Sequence, residues 1–452
     1  MKVIDLNVEG GIGANALLIK LGAFRIIIDA GMHPKAIGRA ALPDFDAIKE
    51  ERIDLVILTH CHLDHLGALP VLLRRLPEVP VLATEPARAL VSVMLHNSVN
   101  VMERQREEHN IKELPLYTHR EATQTQRRIT SVAYRQPRTF QRKGETLEIT
   151  FFNAGHIVGA CGLQLVHKGR KIFFTGDVLF TQQAILSGAH FPSGPFDTVV
   201  METTHGLKER LPECTRGTEV ARLIGHLDHV LSHGGSCLIP VFALGRMQEI
   251  LTLLHQARKA GQLRHCPIYC AGLGLAVAQA FDRIARRYRG LSFRRKILRQ
   301  LKIKPLPEAI CPGRPPTEPG LYVVSSGMMV VGTPSYRVAA MLLGRHKHSI
   351  CFVGYCDPAT PGGKLLATQQ NEPFIFETLD YACPVAAQVE RFDLSGHADR
   401  DELLEFALQA EPRAVVLTHG DPQARDWFTD ALQKASSSIS VINPQPLVSY
   451  QA

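Results

Sequence analysis

Several things are missing from this chain, and each absence narrows the field. No two of its ten cysteines form a C-x-x-C pair. Cys266 and Cys270, and Cys351 and Cys356, are the closest, and neither spacing has a matching second half. That argues against a zinc ribbon and a disulfide framework, and reduced thiols fit a cytoplasmic protein. No apolar run approaches membrane-spanning length, and Met1–Asp5 does not open a signal peptide. There is no internal repeat and no low-complexity tract, so long disorder is not expected.

Acid is missing in one place. From Arg283 to Lys304 there are ten Lys or Arg and no Asp or Glu. The whole chain carries +8 (51 bases, 43 acids); without that span it would carry −2, because 41 bases would face 43 acids. The positive excess is therefore local. A solvated helix face is the plainer reading of such a run, and a polyanion partner the sharper one.

At 452 residues the chain is too long for one core. Its first part reads as strands with helices between them. Ala14–Leu18, Phe24–Ile28, Leu55–Leu58, Val79–Ala83, Leu147–Phe152, Leu163–Val166 and Ile172–Thr175 are apolar runs, and Glu85–Asn97 is helical. After Glu202 the rhythm changes. Val220, Leu223, Ile224, Leu227 and Leu231 recur at helical spacing. Strands Cys237–Phe242, Ile268–Ala271, Leu321–Ser325 and Ser349–Gly354 then alternate with helices Arg246–Lys259, Ala276–Tyr288 and Tyr336–Leu343. Strict alternation predicts a parallel sheet covered by helices. Val385–Asp393, helix Arg400–Gln409 and strand Ala414–Thr418 follow, ending in His419-Gly420-Asp421. A histidine at a strand end again is closer to the opening of the chain than to its middle. The expected layout is a first domain over 1–206, an inserted α/β domain over 207–384, and completion of the first domain by 385–452.

The chemistry centres on Thr59–Gly67, T-H-C-H-L-D-H-L-G, directly after an apolar strand. His60, His62, Asp64 and His65 are the ligand types that divalent ions such as zinc take. Cys61 reads as a spacer whose side chain points elsewhere. One loop cannot surround two ions, so further ligands must come from other strand ends. His156 in N-A-G-H-I-V-G-A, Asp177 in F-T-G-D-V and His419 in L-T-H-G-D are the candidates. Each alone has a plainer reading, as a turn aspartate or a surface histidine; the cluster at 60–65 selects them. Seven ligands suit two ions that hold a hydroxide between them.

These motifs resemble the metallo-β-lactamase fold, and the insertion resembles the β-CASP nucleases. H-C-H-L-D-H, A-G-H, T-G-D and L-T-H-G carry the first likeness. I-I-I-D-A-G at Ile26–Gly31, M-E-T-T-H-G at Met201–Gly206, P-V-F-A-L-G-R-M-Q-E at Pro240–Glu249, S-S-G-M-M at Ser325–Met329 and L-S-G-H-A-D at Leu394–Asp399 extend it over nearly the whole chain. The resemblance implies an αββα sandwich with an inserted parallel-sheet domain and a ribonuclease working in the cleft between them. It implies one ion held by His60, His62 and His156, another by Asp64, His65 and His419, and Asp177 as the bridge, with zinc or else manganese bound. His397, paired with Glu202, would protonate the leaving oxygen or hold the scissile phosphate, with Asp64 and Asp177 sharing in catalysis and Asp29 supporting a ligand. A histidine at 419 belongs to the RNA-cutting members, and valine to the DNA-repair branch. His205 departs from the family's usual tyrosine. Single-stranded RNA is the expected partner, no membrane is, and a homodimer is left open. Hydrolysis of DNA or of a small ester or thioester, and a non-catalytic RNA scaffold, are the alternatives.

Overall fold

The apolar runs become short strands because residues on both of their faces are buried. The computed structural model describes residues 1–452 apart from Pro212, Glu308 and Pro316. Its first stretch holds β1 (Lys2–Asp5), β2 (Leu17–Leu21), β3 (Phe24–Ile28), β4 (Leu55–Ile57), β5 (Val81–Thr84), β6 (Ile129–Val132), β7 (Arg138–Arg142), β8 (Glu145–Asn153), β9 (Cys161–His167), β10 (Arg170–Phe174) and β11 (Thr198–Glu202). Then come β12 (Cys237–Pro240), β13 (Ile268–Cys270), β14 (Ile303–Pro305), β15 (Leu321–Val324), β16 (Ser349–Phe352), the hairpin β17 (Pro373–Phe376) and β18 (Tyr381–Pro384), and β19 (Gln388–Arg391). The chain ends with β20 (Ala414–Thr418), β21 (Ser440–Ile442) and β22 (Ser449–Gln451).

Two compact units result. Residues 1–182, 187–210 and 397–452 form the first, and 183–186 with 211–396 form the second. The first unit is built on two seven-stranded sheets, ordered β22-β1-β2-β3-β4-β5-β6 and β21-β20-β11-β10-β9-β8-β7. Ile26 and Ile57 of one sheet meet Ile149, Leu163 and Val200 of the other in a shared core. Neighbouring residues on one strand serve opposite faces, as the two-residue strand period requires. Val200 points into that core. Val199 and Met201 point the other way, onto Leu403 and Ala407 of helix Arg400–Gln409 and Phe428 and Leu432 of helix Pro422–Ala435. Helix Glu85–His109 covers β5 and β6. The layers are helix, sheet, sheet, helix.

The second unit has a six-stranded sheet in the order β14-β13-β15-β12-β16-β19, and every pair in it is parallel. Buried Leu238, Tyr322, Ile350 and Phe352 form its core with Tyr336 and Leu342 of helix Pro334–Leu342. β19 lies in this sheet, with Ser349 opposite Gln388, and the Phe392 N–H donates to the Phe352 carbonyl at 2.8 Å. The Val385–Asp393 run, expected to open the return to the first domain, contributes a strand to the sheet of the second unit. The chain passes from the first unit to the second at 210/211 and returns at 396/397, with 183–186 also in the second.

Other differences have local causes. The second strand starts at Leu17 rather than Ala14, because Asn15 is tied to the Asp64 carbonyl through its backbone N–H (2.9 Å) and side-chain amide (3.0 Å). The helix from Glu85 runs on past Asn97 to His109, since Ser98, Val99 and Met102 continue its buried stripe; Thr84 caps its start and left-handed Asn110 ends it. The helix expected over Ala276–Tyr288 runs Leu273–Ala285. Among the described residues, no helix is long and apolar enough to cross a membrane.

Candidate metal centre

Parallel pairing decides where the polar residues gather. β3 and β4 run parallel in one sheet, and β10, β11 and β20 in the other. Their C-terminal ends deliver Asp29, then His60 and His62, then Asp177, Glu202 and His419. Helix Leu63–Leu66 adds Asp64 and His65, and the β8–β9 loop adds His156. Backbone fit holds the loops together. Ala30 N–H donates to the His65 carbonyl and Met32 N–H to the Leu63 carbonyl, both at 2.8 Å. Between them, a Cβ on Gly31 would stand 1.6 Å from the Asp64 carbonyl oxygen. Only glycine permits that approach.

The donor atoms form two facing groups. His62 Nδ1 lies 3.2 Å from His60 Nε2 and 3.1 Å from His156 Nε2. Asp177 Oδ2 is 3.5 Å from His60 Nε2, 3.8 Å from His156 Nε2 and 3.4 Å from His65 Nε2. Asp64 Oδ2 is 3.6 Å from His65 Nε2 and 3.3 Å from His419 Nε2. Asp177 therefore touches both groups, and its Oδ1 lies 3.4 Å from His419 Nδ1. A tetrahedral ion with bonds of ~2.0–2.1 Å sets its ligand atoms about 3.3–3.4 Å apart, close to these spacings. His60, His62, His156 and Asp177 form one such set, and Asp64, His65 and His419 another.

The neighbours of these rings select their tautomers. His65 Nδ1–H donates to Asp29 Oδ2 at 2.7 Å. His60 Nδ1–H donates at 3.1 Å to the Thr59 hydroxyl, which donates at 2.7 Å to the same carboxylate oxygen. His419 Nδ1–H donates at 2.9 Å to the Thr204 hydroxyl, which donates at 2.5 Å to Glu202. In all three the Nε2 lone pair is turned toward the donor groups, which is how outer partners prepare a ligand histidine. The Cys61 thiol donates to the Ala87 carbonyl at 3.1 Å, so it points away from the cluster. His397 Nδ1 sits 2.9 Å from Glu202 Oε2, and Glu202 is also fixed by the Val178 N–H at 2.6 Å. His397 shares a third close group with Asp177 and His419. The His205 ring centroid lies 5.9 Å from that of His397.

Charge follows geometry. Burial alone would push the Asp177 carboxyl up, but His419, His65 and His60 hold it well below the usual carboxylate range. Burial opposes charge on His397, yet Glu202, then Asp177 and Asp64, raise it above the ordinary histidine value. For His60, burial dominates and lowers it well below that value, with His65 adding to the effect.

The sequence reading missed three residues here. Thr59 and Thr204 relay protons of ligand-type rings to carboxylates; both stand inside the quoted motifs Thr59–Gly67 and Met201–Gly206, where their hydroxyls are the signal that could have found them. Asn15, whose Nδ2 is 3.3 Å from His65 Nε2, carries no sequence signal at all.

Residues 18–204 match a metallo-beta-lactamase superfamily domain, 247–365 a Beta-Casp domain, and 383–444 a Zn-dependent metallo-hydrolase RNA specificity domain. The chain belongs to the β-CASP branch of the metallo-β-lactamase superfamily. It is 28% identical over 468 residues to the cleavage and polyadenylation specificity factor subunit 3 of Dictyostelium discoideum, covering 99% of this chain and 57% of that one. It is 30% identical to transcription termination factor FttA of Pyrococcus abyssi, covering 91% and 65%. It is 28% identical to Integrator complex subunit 11 of Danio rerio, covering 98% and 73%. The chain thus spans under two thirds of the length of the first two relatives. A crystal structure of a protein of unknown function from Enterococcus faecalis V583 shares the fold, with a TM-score of 0.52, 11% identity and 99% of each chain covered.

Proposed function

We propose that this chain is a metal-dependent ribonuclease that hydrolyses RNA phosphodiester bonds. His60, His62 and His156 would hold one zinc ion and Asp64, His65 and His419 a second, with Asp177 placed to serve both. When bound, such ions lower the pKa of water and neutralise charge on a phosphate. The carrying observation is the facing set of imidazole nitrogens, three of them turned inward by Asp29 and Glu202, with Asp177 between the two groups. Such nitrogens have no protons to share with one another, and a cation reconciles them.

His397 has a different task. Glu202 holds its Nδ1 edge, which leaves Nε2 to pass a proton to the departing oxygen. Asp177 and Asp64 fix charge at the reacting end of the site. Manganese is the other ion this carboxylate-containing set accepts. Relatives named for cleavage and polyadenylation and for transcription termination support the substrate class.

The test uses single-stranded RNA labelled at each end in turn, with zinc and with chelator. Internal cuts or a shortened 5′ end that vanish with chelator support the proposal and distinguish endonuclease from 5′ exonuclease action. Turnover of a thioester but not of RNA would overturn it, and so would RNA binding that survives chelation without any cleavage when zinc is supplied. Asp177→Ala should lower bound metal, read by elemental analysis.

A further inference from the structure

We infer that the arginine-rich segment Arg283–Lys304 of the second unit is a docking surface for the phosphate backbone of an RNA strand, additional to the metal centre; this rests on the ribonuclease reading above for the kind of polyanion bound. The segment is not a loose tail. Ile284, Ala285, Leu291, Phe293, Ile297 and Leu301 are buried and anchor it, while nine of its ten bases are exposed and Arg294 is half-buried. Asp282 knits its two halves into one surface. Its carboxylate takes Arg286 at 2.9 Å and accepts the Arg295 backbone N–H at 3.0 Å, with Arg294 close enough to act on its charge.

Neutralisation is scarce. Among the described residues, Arg286 alone of the ten is given a carboxylate partner within salt-bridge range. The plainer role is complementing the C-terminal dipole of helix Leu273–Ala285. That effect fades within the last turn and uses one or two cations, so it accounts for Arg283 and Arg286 and not for bases out to Lys304. Placing this many unpaired like charges together works against folding, unless a polyanion meets them.

The composition selects the partner. Seven of the ten are arginine, whose planar fork matches phosphate oxygens in pairs. A membrane-surface segment would add exposed large apolar side chains. Among the described residues those are Val8, Val101, Leu207, Leu211, Val331, Ile375, Leu447 and Val448, and none lies in the segment. An aromatic surface adjoins it: the Lys304 ammonium stands 6.0 Å over the ring of half-buried Tyr269, which stacks on Tyr322 at 4.9 Å. Aromatic faces beside bases suit single strands.

The experiment measures affinity for a labelled single-stranded 20-mer RNA by anisotropy, without added metal and across salt concentrations. It compares the full chain with a variant carrying Arg283→Gln, Arg287→Gln, Arg289→Gln, Arg295→Gln and Arg299→Gln. Each lost phosphate contact removes about 0.7 from the slope of log K against log salt, so the slope should fall by about 3.5 for five contacts and affinity by at least about tenfold. Lysine at the same five positions should keep most of the slope, which separates lost charge from lost fold. An unchanged slope in the glutamine variant overturns the inference. So does equal or tighter binding of an acidic peptide or of phosphatidylserine vesicles. Cleavage of a short oligonucleotide is followed in parallel. If the variant keeps both cleavage and slope, the surface falls and the metal centre stands; if neither protein cleaves with zinc but the slope drops, the reverse holds.

Discussion

Of the two donor groups, Asp29 takes a hydrogen bond from His65 directly and reaches His60 through Thr59, so it sets the protonation of two rings. Its carboxylate accepts three hydrogen bonds at 2.7 Å, from Thr59 N–H, the Thr59 hydroxyl and His65 Nδ1–H. Asp29→Asn keeps the shape and, with its oxygen toward Thr59 N–H, keeps one of the three. Its amide then faces His65 Nδ1 and the Thr59 hydroxyl as a donor. The His65 proton is driven to Nε2, the atom 3.4 Å from Asp177. Thr59 loses its acceptor and turns, which frees His60 Nδ1 from its fixed role. A charge-assisted hydrogen bond of this kind contributes about 1.5–3 kcal/mol. Outer partners of metal ligands are worth about tenfold to a hundredfold in affinity, or roughly 1.4–2.7 kcal/mol, so the two routes agree. Competition against a chromogenic zinc chelator should therefore show affinity reduced ten- to a hundredfold, with the Asp64–His65–His419 group emptied first. Wild-type affinity in Asp29→Asn, with the fold intact by circular dichroism, would refute the tautomer argument.

Three further outcomes are expected. His397→Ala should retain both metals by elemental analysis and lose most RNA cleavage, roughly a hundredfold or more if the ring acts as a general acid. Gly31→Ala places a Cβ 1.6 Å from the Asp64 carbonyl, so it should cut metal content and lower the melting temperature by several degrees, measured by calorimetry. His348 is buried and accepts from the Ser236 N–H at 2.9 Å, and burial, with Lys347 and Arg345, lowers its pKa to about 4 from 6.5. Because the folded value is depressed, the unfolded chain takes up the proton first as pH falls from 6.5 toward 4. Stability is lost over that window, by about 2–3 kcal/mol at pH 4.5. Urea midpoints should fall less between pH 7 and 4.5 in His348→Gln than in wild type; equal falls would show that His348 does not stay neutral in the folded state.

What could be read in advance follows from where the information lies. Leu55–Leu58 is buried on both faces, so it appears as a continuous apolar run, and the ligands after it fall on one loop; both signals are local. The inserted sheet is similarly legible, because parallel strands must alternate with crossover helices. Edge elements are different. β22 is the edge strand of its sheet, short and partly exposed, and it becomes a strand only because β1, already paired with β2, offers its other side: Gln451 pairs with Lys2 across the length of the chain. β19 was visible as a strand but not as a member of its sheet, since its sequence holds no mark of the partner that Ser349–Phe352 provides. The same distinction runs through the site. Histidine and aspartate advertise their chemistry wherever they stand, so the donor groups could be named. The tautomers could not, because they depend on Thr59, Thr204 and Asn15, ordinary polar residues that acquire a role only when the C-terminal ends of β4, β11 and β20 are brought to one place. Position in space, not residue type, makes a hydroxyl into a proton relay, which is why Asp29→Asn is a stronger test of the site than removing any ligand outright.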